Sequence, residues 1–149
     1  TLTQNTPNTL IKKNNGDAHP YTGINLVAAG TYSGFTLTNA NLINADLNHA
    51  TFTGTYLEYT NLSNADLSLS TMTSAIATGA NLTNANISGA TLTSIILEDA
   101  ILINANLTGA NMTSSNLKNT NVTGANLTNA NLTTTVSINT DFSGSDLSG

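Results

Sequence analysis

Few residues of this 149-residue chain have side chains that could do chemistry: two histidines, eight acids, three basic residues and no cysteine. Without cysteine, thiolate nucleophiles, disulfides and thiolate metal sites are excluded. Asp17-Ala18-His19 offers two ligand types for a metal, but closed metal sites need more donors than one short loop supplies, and a lone histidine in a polar loop is ordinarily solvated. Asp46, His49 and Thr53 bring an acid, a base and a hydroxyl into one short segment. No acid other than Asp46 is available to orient the imidazole, as a nucleophilic site requires. Glu98-Asp99 places two carboxylates side by side at outward positions, where solvent relieves their repulsion instead of tuning one as acid and one as base. No glycine-rich phosphate loop is present. The expectation is a protein without catalytic site, cofactor or metal.

The polar residues that replace charged ones set the next constraint. Thr and Asn number 27 and 24, only 7% of residues are charged, and hydrophobic types still make up 39%. The formal net charge of -5 has the wrong sign for tracking a phosphate backbone or an anionic membrane, so neither nucleic acid nor membrane is expected as a partner. No apolar run approaches the roughly 18 residues of a membrane span, and no charged leader with an apolar stretch opens the chain. The opening residue is Thr1 and not Met, which reads as a processed or engineered start. A secreted or extracytoplasmic location is the expectation, and with cysteine absent no disulfide would mark it.

Internal repetition decides the architecture. Every fifth residue from Leu37 to Leu147 is Leu, Ile, Val, Phe or Met at 21 of 23 positions, with only Ala77 and Ser137 breaking the column. Two residues earlier, from Ala40 to Ser145, Ala occupies 13 of 22 positions and Ile95 is the one large exception. Neither a 3.6-residue helix nor an alternating strand holds a five-residue register over this length, so the chain must wind a solenoid in which each unit buries one large and one small side chain.

Ala40-Asn41-Leu42, Ala45-Asp46-Leu47, Ala65-Asp66-Leu67, Ala80-Asn81-Leu82 and Ala125-Asn126-Leu127 resemble the pentapeptide-repeat family over about three quarters of the chain. The resemblance implies an all-β, right-handed quadrilateral β-solenoid in which four pentapeptides make one square coil and residues 20 apart stack. Coils stacked about 4.8 Å apart pair their backbones as in a sheet, and roughly six of them give a rod on the order of 29 Å long. Asn41, Asn61, Asn81 and Asn121 then share a column and are expected to form an amide ladder. Residues 31–149 are assigned to the solenoid and residues 1–30, which hold Pro7, Pro20, Lys12, Lys13 and the Asn15-Gly16 turn signal, to an N-terminal cap. Leu10, Ile11, Ile24, Leu26 and Val27 are expected to cover the first coil. The register runs to Leu147 with no cap sequence, which invites an end-to-end homodimer through the open end or marks a truncation. Members of the family that confer quinolone resistance resemble DNA through a dense acidic surface; Asp46, Asp66 and Asp146 in one column are too few for that. Asn-x-Ser/Thr sequons at Asn81, Asn106, Asn111, Asn126 and Asn131 fall out of the repeat itself.

Function, where it lies on the surface, should show as a face that departs from the consensus. One face reads Thr31-Tyr32-Ser33, Thr51-Phe52-Thr53, Thr71-Met72-Thr73, Thr91-Leu92-Thr93, Asn111-Met112-Thr113 and Asn131-Leu132-Thr133, with no charge. This stacked T-x-T array resembles the ice-binding face of solenoid antifreeze proteins, in which paired Thr columns approximate a lattice of waters. Thr has a stiff χ1 and offers methyl and hydroxyl together, so it can order water on a pre-organised surface. Thr is also simply a good outward residue of extended chain. Ice or ordered water is the leading partner, through Thr31, Ser33, Thr51, Thr53, Thr71, Thr73, Thr91, Thr93, Thr113 and Thr133. The competing expectation is a protein-interaction or scaffold module using Tyr56, Ile76, Ile96 and Val136, an apolar column interrupted by Asn116 where the consensus has Asn or Asp. The alternatives for that column are a local shift that turns it inward beside Ala77 and Ser137, and an N-terminal segment that lies across it.

Overall fold

The computed structural model describes residues 12, 13, 15, 17 and 26–149. The unit Ala40-Asn41-Leu42-Ile43-Asn44 defines five positions: small, bridging, inward, turn and corner. Each corner residue has positive φ, from Ala29 at 56° through Asn64 at 57° to Gly144 at 68°. It is the third residue of a four-residue turn closed by the next small residue, as where Ala45 N–H donates to Leu42 O at 3.1 Å. A positive φ at the third residue alone is the pattern of a type II turn, which explains why Asn and Gly fill this position. Tyr59 and Leu69 take the same conformation without that tolerance. Each lies over a glycine one coil on: a Cβ at Gly79 would come within 2.6 Å of the Tyr59 ring, and one at Gly89 within 2.7 Å of Leu69.

Four such corners turn 20 residues through a square, and bridging residues then pair in parallel with those one coil on, as in Asn41 with Asn61 and Asn61 with Asn81. Per unit, three backbone bonds join coils: Leu42 N–H to Asn61 O at 2.7 Å, Asn61 N–H to Ala40 O at 2.9 Å, and Asn44 N–H to Ser63 O at 3.0 Å. The result is a right-handed quadrilateral β-solenoid whose bridging residues rise through six levels, Thr31, Thr51, Thr71, Thr91, Asn111 and Asn131. Extended backbone is confined to the short bridging segments, so the named strands among the described residues are only two. Strand β1 (Lys12–Lys13) runs antiparallel to β2 (Ala40–Asn41), with Lys12 opposite Asn41. It takes the edge of the first coil that no further coil covers, the place of a cap.

The inward column is sealed: Leu37, Leu47, Leu67 and Leu107 have no exposed surface, and Phe52 and Met72 are 1% exposed. Alanine at the small position lets these side chains interdigitate at native density. Ile95 is buried one coil above Ala75 and Ala77, where two small residues leave the volume it needs. At the first level Leu26 is buried but Val27, expected to cap, is 46% exposed. Tyr32 fills that interior instead: its hydroxyl accepts from Val27 N–H at 2.6 Å and donates to Val27 O at 3.2 Å. The backbone of Val27 is thereby tied inward and its side chain turned out. Gly30 is required beside it, since a Cβ there would overlap the Tyr32 hydroxyl. Leu10, Ile11 and Ile24 lie outside the described residues. In the last coil Leu132 and Phe142 are half-buried and Leu147 is 49% exposed.

Where the small position holds threonine, its hydroxyl reaches a carbonyl 23 residues back: Thr60 to Leu37 O at 2.8 Å, Thr120 to Leu97 O at 2.7 Å. Ser70 is buried and its Oγ has no partner. Thr60→Val should therefore lower stability by about 1 kcal/mol, whereas Ser70→Ala should leave it unchanged or raise it. Chemical denaturation of both variants checks this, and equal losses would contradict it.

Candidate functional site

Each unit leaves one amide outside the backbone ladder, that of the turn position, for which no backbone acceptor is in reach. The bridging residue two places earlier meets that need on most faces. Asn61 Oδ1 accepts from Ser63 N–H at 3.1 Å and from the Ser63 hydroxyl at 2.6 Å. Asn81 does the same for Thr83, Asn86 for Ser88, Asn106 for Thr108, Asn121 for Thr123 and Asn126 for Thr128. This is an Asx turn with a second bond from the hydroxyl, and it accounts for the sequons as structural pairs. It also corrects the expected ladder. The Oδ1 atoms of Asn61, Asn81 and Asn121 serve the local amide, and amide bonds between coils run instead from Asn86 to Asp66 at 3.1 Å and from Asn106 to Asn86 at 3.2 Å.

The threonine face departs from this scheme. Thr31, Thr51, Thr71 and Thr91 stack as bridging residues, and the turn column beside them stacks too, with Gly34 N–H on Thr53 O at 3.0 Å and Ser74 N–H on Thr93 O at 3.0 Å. The two columns are separated by one inward residue, roughly 6.5 Å along extended chain, and successive rows by about 4.8 Å. Thr31, Ser33 and Thr53 are exposed; Thr51, Thr71, Thr73, Thr91 and Thr93 are partly exposed. Threonine hydroxyls make this bond more weakly than Asn Oδ1, and those of Thr51, Thr71 and Thr91 do not make it here. Among the described residues, the hydroxyls of Thr51, Thr53, Thr71, Thr73, Thr91 and Thr93 make no hydrogen bond to protein. The amides of Thr53, Thr73 and Thr93 are left equally free. Rows five and six return to the consensus: Thr113 is held by Asn111 and Thr133 by Asn131, with hydroxyl bonds of 2.7 and 2.6 Å.

The second expected site also stands outward. Tyr56, Ile76 and Ile96 are joined through consecutive bridges, then Asn116 and Val136; Tyr56 is 43% and Val136 46% exposed. Ala77 is fully buried without Ile76 turning in to replace it. Lys118 and Glu98 flank the stripe as an ion pair at 2.7 Å. Sequence reasoning missed the corner residues Tyr59 and Leu69, 57% and 55% exposed; the signal was a large apolar residue in a column otherwise rich in Asn and Gly.

The groups considered for chemistry are engaged elsewhere. His49 Nδ1 lies 3.1 Å from Asn48 Oδ1, Asn48 in turn donates to Asp46, and Asp99 accepts from Asn119 at 3.0 Å. Asp17 closes a turn with Asn15, and His19 lies outside the described residues. Among the described residues no cluster of three metal-binding side chains occurs and no helix is long and apolar enough to cross a membrane.

Fold and repeat chemistry together define a quadrilateral solenoid built from Asx-capped pentapeptides. The sequence profile of pentapeptide repeats matches in eight copies, over residues 36–73, 71–99, 97–129 and 105–149, and the chain belongs to that family. Among solved structures, a pentapeptide repeat protein from the Arabidopsis thaliana thylakoid lumen is 32% identical, covering 64% of this chain and 63% of its own, with a TM-score of 0.52. This chain thus spans less than two thirds of that protein's length. A trypsin-treated variant of QnrB1, a plasmid-mediated fluoroquinolone resistance protein, is 17% identical over 85% of this chain and 80% of its own, also with a TM-score of 0.52, and shares the fold. No curated protein matches the chain.

At Asp141 and Asp146 the acceptor is a carboxylate. Bonds from the Ser143 hydroxyl and amide hold the Asp141 carboxyl below its ordinary 3.8, and the Ser148 amide and hydroxyl do the same for Asp146. A depressed folded value means that the stabilisation is complete above the ordinary value and lost as pH falls through the lower one. Exchange protection of the Ser143 and Ser148 amides should therefore collapse on acidification below pH 3.8, while that of Thr83, capped by neutral Asn81, stays flat. Asp141→Asn should abolish the pH dependence at Ser143; a persistent collapse in that variant would refute the assignment.

Proposed function

We propose that this chain is a non-catalytic, surface-presenting solenoid that binds ice through its threonine face. The observation that carries the reading is the block of six hydroxyls at Thr51, Thr53, Thr71, Thr73, Thr91 and Thr93, stacked in register and without a hydrogen-bond partner among the described residues. Thr31 and Ser33 extend it by one row. Thr113 and Thr133 continue the column, with hydroxyls already engaged. Such rows order water at fixed spacing without the tight hold of a charge, and the backbone ladder beneath them removes the entropy of arranging the face on contact. Stiff χ1 torsions do the same for the side chains. Contact with environmental ice requires a secreted or extracytoplasmic protein, so the location follows from the reading.

A second reading is supported by the outward apolar stripe. Tyr56, Ile76 and Ile96 form a contiguous surface of the kind that a protein partner covers, with Val136 beyond Asn116. The two readings use different faces and separate cleanly. Thr73→Tyr should abolish thermal hysteresis and crystal faceting without lowering the melting temperature, and Ile96→Asp should leave both intact. Loss of a partner or of self-association in Ile96→Asp, by sedimentation, with no ice activity in the unaltered chain, would favour the second reading over the first.

A further inference from the structure

The six rows of the threonine face differ in what they offer to water, and the hydrogen bonds give the reason. The default of the repeat is a bridging Asn whose Oδ1 takes both the amide and the hydroxyl two residues on. It recurs on two other faces, at Asn81–Thr83, Asn121–Thr123 and Asn106–Thr108 among others. Threonine at Thr51, Thr71 and Thr91 removes that acceptor, and both donors of each row then have no partner among the described residues. At Asn111 and Asn131 the default returns, with amide bonds of 3.2 and 3.0 Å in addition to the hydroxyl bonds. A hydroxyl has a single proton to donate. Thr113 and Thr133 have each donated theirs inward, and their amides are covered as well.

We infer that Asn111 and Asn131 set the extent of the ice-binding face, acting as specificity-determining residues that silence the threonine two places on and end the face at the fourth row. The inference rests on the ice reading. It assigns the turn-column threonines no fixed worth of their own: the same side chain is available or withheld according to its bridging neighbour. The exchange of Asn for Thr is compatible with the backbone there, because Thr51, Thr71 and Thr91 occupy the equivalent place on the same face with the same bridges.

The test is the double substitution Asn111→Thr with Asn131→Thr, and beside it Asn121→Thr, which frees Thr123 on a different face by the same loss of an Asx bond. Thermal hysteresis at equal concentration should rise at least twofold in the double variant and stay at the parent value in Asn121→Thr, with folded circular dichroism spectra for both. Hydroxyl-proton exchange of Thr113, by NMR, should quicken in the double variant to the rate of Thr73. An active parent whose double variant gains nothing, or loses activity while remaining folded, overturns the inference alone. A rise of equal size in Asn121→Thr also overturns it, since the gain would not belong to the face. A parent chain with no effect on ice overturns the ice reading and this inference with it.

Discussion

Everything in this molecule depends on how a five-residue unit satisfies its five amides. Three bond to neighbouring coils and one closes the corner, which fixes the square cross-section and the 20-residue register. The fifth, at the turn position, has no backbone partner, and an exposed amide left unbonded must be met by a side chain or by water. The bridging residue is the one that can reach it. The prevalence of Asn and Asp there is thus a hydrogen-bonding requirement of the fold, and it has nothing to do with binding or charge. The same requirement makes a departure informative: where Thr or a large apolar residue stands at the bridging position, the unit gives up an internal bond and presents something else to the outside.

The two unusual faces are therefore two outcomes of one substitution at one position. Threonine frees donors and gives a polar, uncharged, rigid array. Ile76 and Ile96 give an apolar ridge and leave the Thr78 and Glu98 amides without the Asx acceptor, while the Glu98 carboxylate accepts from Lys118. The threonine rows leave Phe52, Met72 and Leu92 packed beneath them, and beside the ridge the interior stays closed with Ala77 and Ile95 in the inward and small columns. This separation of interior from surface is what a solenoid with nearest-neighbour stacking provides. It lets one face be rewritten while Leu67, Ile87 and Leu107 remain packed beneath another.

The fold was legible because the inward and small columns obey a period that only a solenoid can hold, and Leu42, Phe52 and Met72 are buried where the register puts them. The members and the columns of the threonine face were legible for the same reason. What the spacing could not convey was the state of each hydroxyl. Thr73 and Thr113 occupy the same column, yet one is free and the other bonded, and the difference lies in the reach of an Asn side chain. The corner conformation was equally hidden behind tolerant residues. The positive φ at Ala29, Tyr59, Leu69 and Thr134 shows that a conformational demand governs the column, with Gly79 and Gly89 leaving room for the Tyr59 and Leu69 side chains. The cap was misjudged at Val27 because a tyrosine hydroxyl competed for its backbone, a contact that no hydrophobic pattern contains.

Residue-resolved hydrogen exchange of the turn-position amides measures the central claim most directly, because these amides share one backbone geometry and differ only in the residue two places before them. Thr83, Thr108 and Thr123, each capped by an Asn, are expected to be protected, as are Thr113 and Thr133 on the threonine face. Thr53, Thr73 and Thr93 are expected to exchange at nearly the rate of an unstructured peptide despite lying in the same well-formed coils. Equal protection across both groups would mean that threonine meets the fifth amide as well as asparagine does, and the threonine face would then have no more to offer to water than any other side of the solenoid.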